Sequence, residues 1–417
     1  MAEYYVKDLS LAEQGRRNLQ LAELRMPALL KIREEFEREK PLAGITVGMA
    51  LHVTKETGVL VRTLRAGGAE VAITSCNPLS TQDDVAAALA EEGVRVYAYK
   101  GESREDYYRF INKVIETRPH ITIDDGCDLV SEIHQKHQDL IPQIIAGCEE
   151  TTTGIIRLRA MVKAKALKYP MIAVNDNKTK HLLDNYYGTG QSTWDGILRA
   201  SNVLVAGKTV VVAGYGSCGK GVSLRARGLG AEVIVTEVDH FRALQARLDG
   251  FGVMPMEEAA RRGDIFITVT GNKNVIRLEH IKAMKEGAIL ANSGHFDNEI
   301  DMKSLRAYAG EPLRVRPWFD QYLVDGKRIF VCGEGRLTNL ACAEGHPSEV
   351  MATSFCGQAL AVKYAVENRG KLPVSVISLP EEIDNRIAQL QLESMGIKID
   401  RLTPEQEEYL ASWTEGT

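Results

Sequence analysis

The stretch Lys208–Gly221, KTVVVAGYGSCGKG, decides how this chain is read. Its first half is a run of β-branched and small apolar residues, the pattern of a strand buried on both faces of a parallel sheet. Its second half spaces Gly214, Gly216 and Gly219 as GxGxxG, immediately after that strand and at the start of a helix. In this motif the first glycine permits a tight turn, the second lets the backbone approach a pyrophosphate and the third allows close helix packing. The free N–H groups of Ser217 and Cys218 at the helix start then face the anion. The next apolar run, EVIVTEV, carries Glu237 next to its last residue, at the roughly 20-residue offset where a carboxylate holds a ribose 2′-hydroxyl and repels a 2′-phosphate. Strand, glycines, helix and acid together point to NAD in preference to NADP, with Val238 and Arg242 as neighbouring contacts. TVTG (Thr268–Gly271) and NSGHFD (Asn292–Asp297) close later strands, which adds Thr270, Gly271, Asn272, Ser293, Gly294 and His295 to the cofactor wall.

Outward from this motif, short β-rich runs alternate with helical stretches in both directions. Before it come GITVGMAL, EVAIT, VRVYAY, ITIDDG and MIAVND; after LVAGK come TVVVAG, EVIVTEV, DIFITVTG and AILANSG. This is the βαβ signature, and its restart predicts an α/β protein of two doubly wound parallel-sheet domains. HPSEVMATSFCGQALAVKYAVEN reads as one long helix that the second sheet does not need, so it is expected to return to the first domain. A Rossmann NAD domain (186–345) is thus expected inside a discontinuous substrate domain (1–185 and 346–380), followed by a short C-terminal oligomerisation segment (381–417). Two crossings, near Asp184–Trp194 and Leu340–His346, would form a hinge able to close over a ligand.

The bulk numbers agree with a small-molecule enzyme. At 417 residues the chain exceeds the roughly 250 to 300 residues at which one core stops growing. With 44% hydrophobic and 26% charged residues and a net charge of -5, it gives no electrostatic case for nucleic acid or an anionic membrane. No signal peptide or membrane-spanning run is visible, and a cytoplasmic location is expected. The 7 cysteines are scattered without a Cys-x-x-Cys pair, which suggests reduced thiols. No metal site is expected; His134 and His137 read as a solvated helix face, because nothing nearby completes a ligand set.

Polar residues gather at the strand ends of the first domain. His52, Thr54 and Glu56 follow one strand; Asp124, Asp125 and Asp128 follow another; Glu149 and Glu150 precede a helix. Each group alone reads as a cap or solvated turn. Several at one sheet edge read as a site. Lys180 and Asp184 lie four apart, on one helical face.

Taken together, SLAEQGR, CNPLSTQDDVAAA, EETTTG, GYGSCGKG, GHFDNEID and EGRLTNLACAEGHPSEVM resemble segments of the S-adenosyl-L-homocysteine hydrolase family, in its order, from about Leu9 to about Leu410. The resemblance implies NAD-assisted, reversible cleavage of a thioether into adenosine and homocysteine without net oxidation. It implies that Lys180 and Asp184 take the ribose 3′-hydroxyl proton and that Asn185 holds the ribose. Asp125 and Glu150 would serve at C4′. His52 and His295 would serve the 5′ side by protonating the departing sulfur and guiding the water, and His346 would touch substrate near the hinge. Thr54, Thr57 and Met351 complete the substrate contacts. Asn339 would meet the nicotinamide amide, with Thr151, Thr152 and Thr153 near that ring.

Within the family an S-inosylhomocysteine hydrolase is the competing reading. Glu56, as a carboxylate, can only accept a hydrogen bond, which suits the 6-amino group of adenine and opposes the 6-oxo group of hypoxanthine. Two departures stand out. Thr189 occupies a place where many relatives have cysteine, so sulfur is expected to be absent beside the nicotinamide. The chain also ends at EEYLASWTEGT, without the Lys- and Tyr-bearing tail of many relatives. A homotetramer is implied by the resemblance. From other classes, an NAD-dependent hydroxy-acid dehydrogenase and a non-catalytic nucleoside sensor remain alternatives.

Overall fold

Val210–Ala213 are fully buried, as a strand covered on both faces must be. They occupy the interior of an eight-stranded sheet in the computed structural model, which describes residues 3–414. The ends of the first and last segments read from the sequence, residues 1–2 and 415–417, lie outside the described residues. The strand order in this sheet is Leu313–Arg316, Phe319–Val324, Lys327–Cys332, Ile289–Asn292, Ile265–Thr268, Thr209–Ala213, Glu232–Thr236 and Gly252–Val253. Apolar clusters cover both faces; Val210, Val212 and Trp194 lie in one, Val211, Phe266 and Leu290 in the other.

The purely parallel reading of this sheet needs one correction. Phe319–Val324 and Lys327–Cys332 form an antiparallel hairpin, to which Leu313–Arg316 is added. Asp325 and Gly326 both have positive φ, 49° and 78°, the Asp-Gly turn whose twist matches that of the flanking strands.

The other sheet has seven strands, all parallel, in the order Val376–Ile377, Met171–Ala173, Ala146–Glu149, Ile121–Asp124, Thr46–Ala50, Glu70–Thr74 and Arg95–Tyr97. The helix Ser348–Glu367 leaves the second sheet and packs against this first one, touching the helices Pro27–Glu39 and Lys55–Ala66. It is apolar nearly all round, with Ala352, Phe355, Cys356, Ala359 and Val362 in the core, as expected of a helix enclosed by others. Beyond it, Glu381–Ser394 packs on the same helix and on Pro27–Glu39, whereas Pro404–Ala411 buries no residue. Among the described residues no helix is long and apolar enough to cross a membrane.

Candidate functional site

The parallel strands of each sheet reverse their order at one point. In the first it falls between Thr46–Ala50 and Ile121–Asp124, in the second between Thr209–Ala213 and Ile265–Thr268. Ligands of open α/β sheets bind beyond the strand C-termini at such points. His52 and Asp125 follow the first pair of strands; Gly214 and Thr270 follow the second. One cavity of about 990 Å³ connects the two edges and is lined from both.

The cofactor edge is built mainly from backbone. Gly214 has φ +106°, and a Cβ on Gly219 would lie 2.0 Å from the Gly214 carbonyl oxygen, so neither position accepts a side chain. Gly219 accordingly packs beneath the turn and, alone among the residues expected to hold the cofactor, does not line the cavity. At Gly216 the nearest atom to a hypothetical Cβ is Arg242 Nη1, 3.8 Å away, which leaves the backbone open to a ligand. No side chain caps the helix Ser217–Gly228, so its first N–H groups are available to phosphate. Glu237 is held by backbone donors, with Oε2 accepting from Tyr215 N (2.7 Å) and Oε1 from Val238 N (2.7 Å). Asn339 donates to Ser192 Oγ (3.0 Å), while its Oδ1 is buried on the cavity wall without a partner. An orphaned buried acceptor suits a carboxamide N–H₂. These residues fit NAD.

On the substrate edge the decisive element is the π-helical turn Thr179–Gly188. At 3.6 residues per turn a residue five along would face away; the wider i→i+5 turn brings it back over the first. Lys180 Nζ therefore reaches both Asp184 Oδ1 (3.3 Å) and Asn185 Oδ1 (2.7 Å). Burial works against the Lys180 charge, but Asp184, Glu150 and Asp125 outweigh it and hold the ammonium above the ordinary lysine value. Asp184, despite its own burial, is held well below the carboxylate range by Lys180 and by His346, whose Nδ1 is 3.0 Å away. A Cβ on Gly188 would stand 2.6 Å from that Nδ1, so the glycine lets His346 settle on the turn.

Glu150 faces this pair, 3.9 Å from Lys180 Nζ. Burial pushes it up to about 7, against the pull of Lys180. Ser354 Oγ donates to one oxygen and Gln358 Nε2 (2.5 Å) to the other, both from the helix Ser348–Glu367. Neither residue was singled out in the sequence. Their signal is the presence of polar residues one turn apart inside an otherwise apolar helix.

The two edges meet at Asp125. His52 Nε2 lies 3.5 Å from its Oδ2 and His295 Nδ1, from the second sheet, 3.4 Å from its Oδ1. Gly126, at φ +109°, makes room: a Cβ there would lie 2.2 Å from His295 Nε2. Burial pushes His52 down to about 4 even though Asp125 opposes it, so it is a neutral imidazole near pH 7. Its Nδ1 is 3.2 Å from Cys76 Sγ, a contact not anticipated from sequence. Also missed were Glu299, which accepts from Thr270 N, Thr270 Oγ1 and Gly271 N, and His181, which meets Ser217 Oγ at 3.0 Å.

Several flagged residues have other surroundings than expected. Asp124 accepts from Asp125 N and Val130 N, and Glu149 from Gly126 N and Thr151 N, so both brace loops. Asp128 pairs with Arg157 at 2.7 Å. His134 is not on a solvated face: it is buried, its ring stacks on Tyr169, and its nitrogens meet Val130 O and Lys168 N. Cys218, on the glycine-rich helix, lines the same cavity as Thr189, whose Oγ1 meets His346 Nε2 at 3.3 Å. The remaining sequence-predicted residues, Thr54, Glu56, Thr57, Thr151, Thr152, Thr153, Val238, Asn272, Ser293, Gly294 and Met351 among them, line the cavity.

The family model for the S-adenosyl-L-homocysteine hydrolase NAD-binding domain matches residues 185–345, and the S-adenosyl-L-homocysteine hydrolase model matches residues 3–145. An S-inosyl-L-homocysteine hydrolase of Methanocaldococcus jannaschii is 59% identical over 99% of this chain and 100% of its own length. An adenosylhomocysteinase of Sulfurisphaera tokodaii is 58% identical and one of Aquifex aeolicus 57%, each over 100% of both chains. The cavity between two reversal points, one built for a dinucleotide and one rich in acid and base groups, is thus that of a thioether hydrolase that uses NAD, and the chain belongs to the S-adenosyl-L-homocysteine hydrolase family.

Proposed function

We propose that the chain hydrolyses S-adenosyl-L-homocysteine reversibly to adenosine and L-homocysteine. The observation that carries this choice of base is the Glu56 carboxylate, buried at 2% exposure on the cavity wall. Ser348 Oγ donates to its Oε1 at 2.6 Å, while no described residue donates to Oε2. An acceptor-only group with one free oxygen suits an exocyclic amine and is left unpaired by a carbonyl. The inosyl substrate is the second reading, favoured by the M. jannaschii relative's name.

NAD, when bound against Gly214–Gly219, Glu237 and Asn339, supplies a reversible oxidant for the ribose 3′-carbon. With a ketone at C3′, the C4′ proton becomes acidic, and homocysteine thiolate leaves from C5′ by elimination. Water adds to the double bond, and reduction restores the 3′-hydroxyl, so no net oxidation occurs. Lys180, Asp184 and Asn185 are proposed to hold the 3′-oxygen and its proton. Because Lys180 starts as an ammonium, it must first give up a proton, and Glu150, raised to about 7 and 3.9 Å away, is the neighbour suited to take it. Asp125 serves C4′. The neutral His52 suits accepting a proton from the entering water better than supplying one to sulfur, which leaves the sulfur side to His295. Contact with substrate is proposed for His346, Thr54, Thr57 and Met351.

A homo-oligomer, expected as a tetramer, is supported by the apolar residues Met395, Ile399, Leu402, Leu410 and Trp413, all more than half exposed along the last segment. A cytoplasmic setting is supported by the free thiols. Homocysteine release from adenosyl and inosyl substrates, measured in parallel, tests the function. Faster release from the inosyl substrate would reverse the choice of base. Reduced cofactor accumulating beyond one equivalent per subunit would instead indicate a hydroxy-acid dehydrogenase.

A further inference from the structure

We infer that Lys55, a residue that does not line the cavity, is the positioning residue that orients the base-reading carboxylate of Glu56 and fastens it to the second crossing between the sheets; this rests on the adenine reading above. A carboxylate turns about its last bond in a broad two-fold well, so something must select which oxygen faces the ligand. At Glu56 two donors converge on one oxygen. Oε1 accepts from Ser348 Oγ at 2.6 Å and lies 3.3 Å from Lys55 Nζ, which leaves Oε2 for the ligand. The Lys55 side chain is 10% exposed and that of Glu56 2%, so the pair is largely desolvated.

Lys55 also reaches away from the cavity. Its Nζ is 2.9 Å from Glu344 Oε2, and Arg199 Nη1 is 3.1 Å from the other oxygen of Glu344. Glu344 belongs to the crossing Leu340–His346, and Arg199 to the helix Thr189–Ser201, whose first turns are part of the other crossing. A line of alternating charge, Glu56, Lys55, Glu344, Arg199, thus runs from the base end of the cavity over both crossings. Its inner link is buried, while Glu344 and Arg199 are about half exposed, at 55% and 50%, and screened by water. The inner link therefore carries the effect. Burial opposes the Lys55 charge, and Glu56 with Glu344 more than restores it, so the ammonium is sustained by the two carboxylates it joins.

The test uses the NAD-loaded full chain and both thioether substrates. In Lys55→Met the KM for the adenosyl substrate is expected to rise about tenfold, kcat to stay within about twofold, and the ratio of kcat/KM between the two bases to shift about tenfold, the ordinary worth of a charged hydrogen-bond partner. Lys55→Arg, which keeps charge and donors, restores most of the ratio. Glu344→Gln, which leaves the Lys55–Glu56 pair in place, changes it less than about twofold. Should Lys55→Met lose its NAD or its cooperative melting, the contrast between Lys55→Arg and Lys55→Gln carries the same decision. An unchanged base ratio in the neutral variants, a loss confined to kcat, or failure of Lys55→Arg to rescue overturns the inference. A wild-type preference for the inosyl substrate overturns the adenine reading instead, and Lys55 then stands or falls on whether its removal moves the ratio.

Discussion

The two sheet edges that face each other across the cavity are built on opposite plans. At Thr209–Ala213 and Ile265–Thr268 the working groups are backbone N–H groups, a helix end and glycines whose missing side chains make space. At Thr46–Ala50 and Ile121–Asp124 they are ionisable side chains pressed into one another: Asp125 between two histidines, Lys180 among three carboxylates. The first edge binds a constant ligand, so its contacts can be steric and permanent. The second, which in the proposed mechanism passes protons, concentrates groups whose proton affinities burial and charge have moved. Both plans depend on glycine, for different reasons: Gly219 admits a neighbouring backbone carbonyl, whereas Gly126 admits the His295 ring from the other sheet.

The largest expected effect separates the plans outright. Lys180→Ala should keep NAD bound, because the glycine-rich edge is untouched, yet slow reduction of the cofactor by adenosine about 10³-fold. Stopped-flow absorbance together with NAD content checks this, and normal reduction would remove Lys180 from the oxidation step. Gly126→Ala comes next. It should cost about 10²-fold in kcat, the scale of a displaced catalytic group, with unchanged NAD content. A simultaneous loss of NAD would mean that the two edges are not separable at this glycine.

On the cofactor edge, Glu237→Ala should weaken NAD roughly tenfold to hundredfold and narrow its advantage over NADP, measured by equilibrium titration. The smallest effect concerns a carboxyl beside neither ligand. Glu102 is 5% exposed, both its oxygens lack partners, and burial pushes it up to about 9 from an ordinary 4.5. The folded chain holds a proton there that the unfolded chain releases, so stability falls as pH rises from about 4.5 toward 9. Glu102→Gln should remove that slope, gaining about 1–3 kcal/mol over the parent at pH 9 and little at pH 5, read from denaturant melts. An identical pH slope in both proteins would mean that Glu102 is not protonated in the fold.

Much of the cofactor edge was legible because its requirements are local. A strand, three glycines, a helix start and Glu237 follow one another in sequence, and each is demanded by the geometry of its neighbours. The hairpin of the second sheet was equally legible and went unread: Asp325-Gly326 between YLV and KRIF is a strong short-range hairpin signal. The strand Ala146–Glu149 gave less, since AGCE carries no β-branched residue and earns its place only by pairing on both sides. His134 misled because a histidine pair at helical spacing looks the same in sequence whether water or Tyr169 lies against it.

On the substrate edge the sequence named most of the participants without their pairings. Spacing of four placed Lys180 and Asp184 on one face, but only a π-helical turn brings Asn185 onto it as well. Ser354 and Gln358 sit more than 200 residues from the Glu150 carboxylate they hold, and His346 reaches Thr189 from a distant part of the chain. What the sequence determined by itself was the alternation of elements, the dinucleotide cradle and the inventory of acids and bases, because these rest on local sterics and residue chemistry. Which carboxylate is charged, which histidine is neutral and which oxygen of Glu56 is left without a donor were decided only by the tertiary structure. Those properties depend on burial and on charges brought within 4 Å from distant parts of the chain.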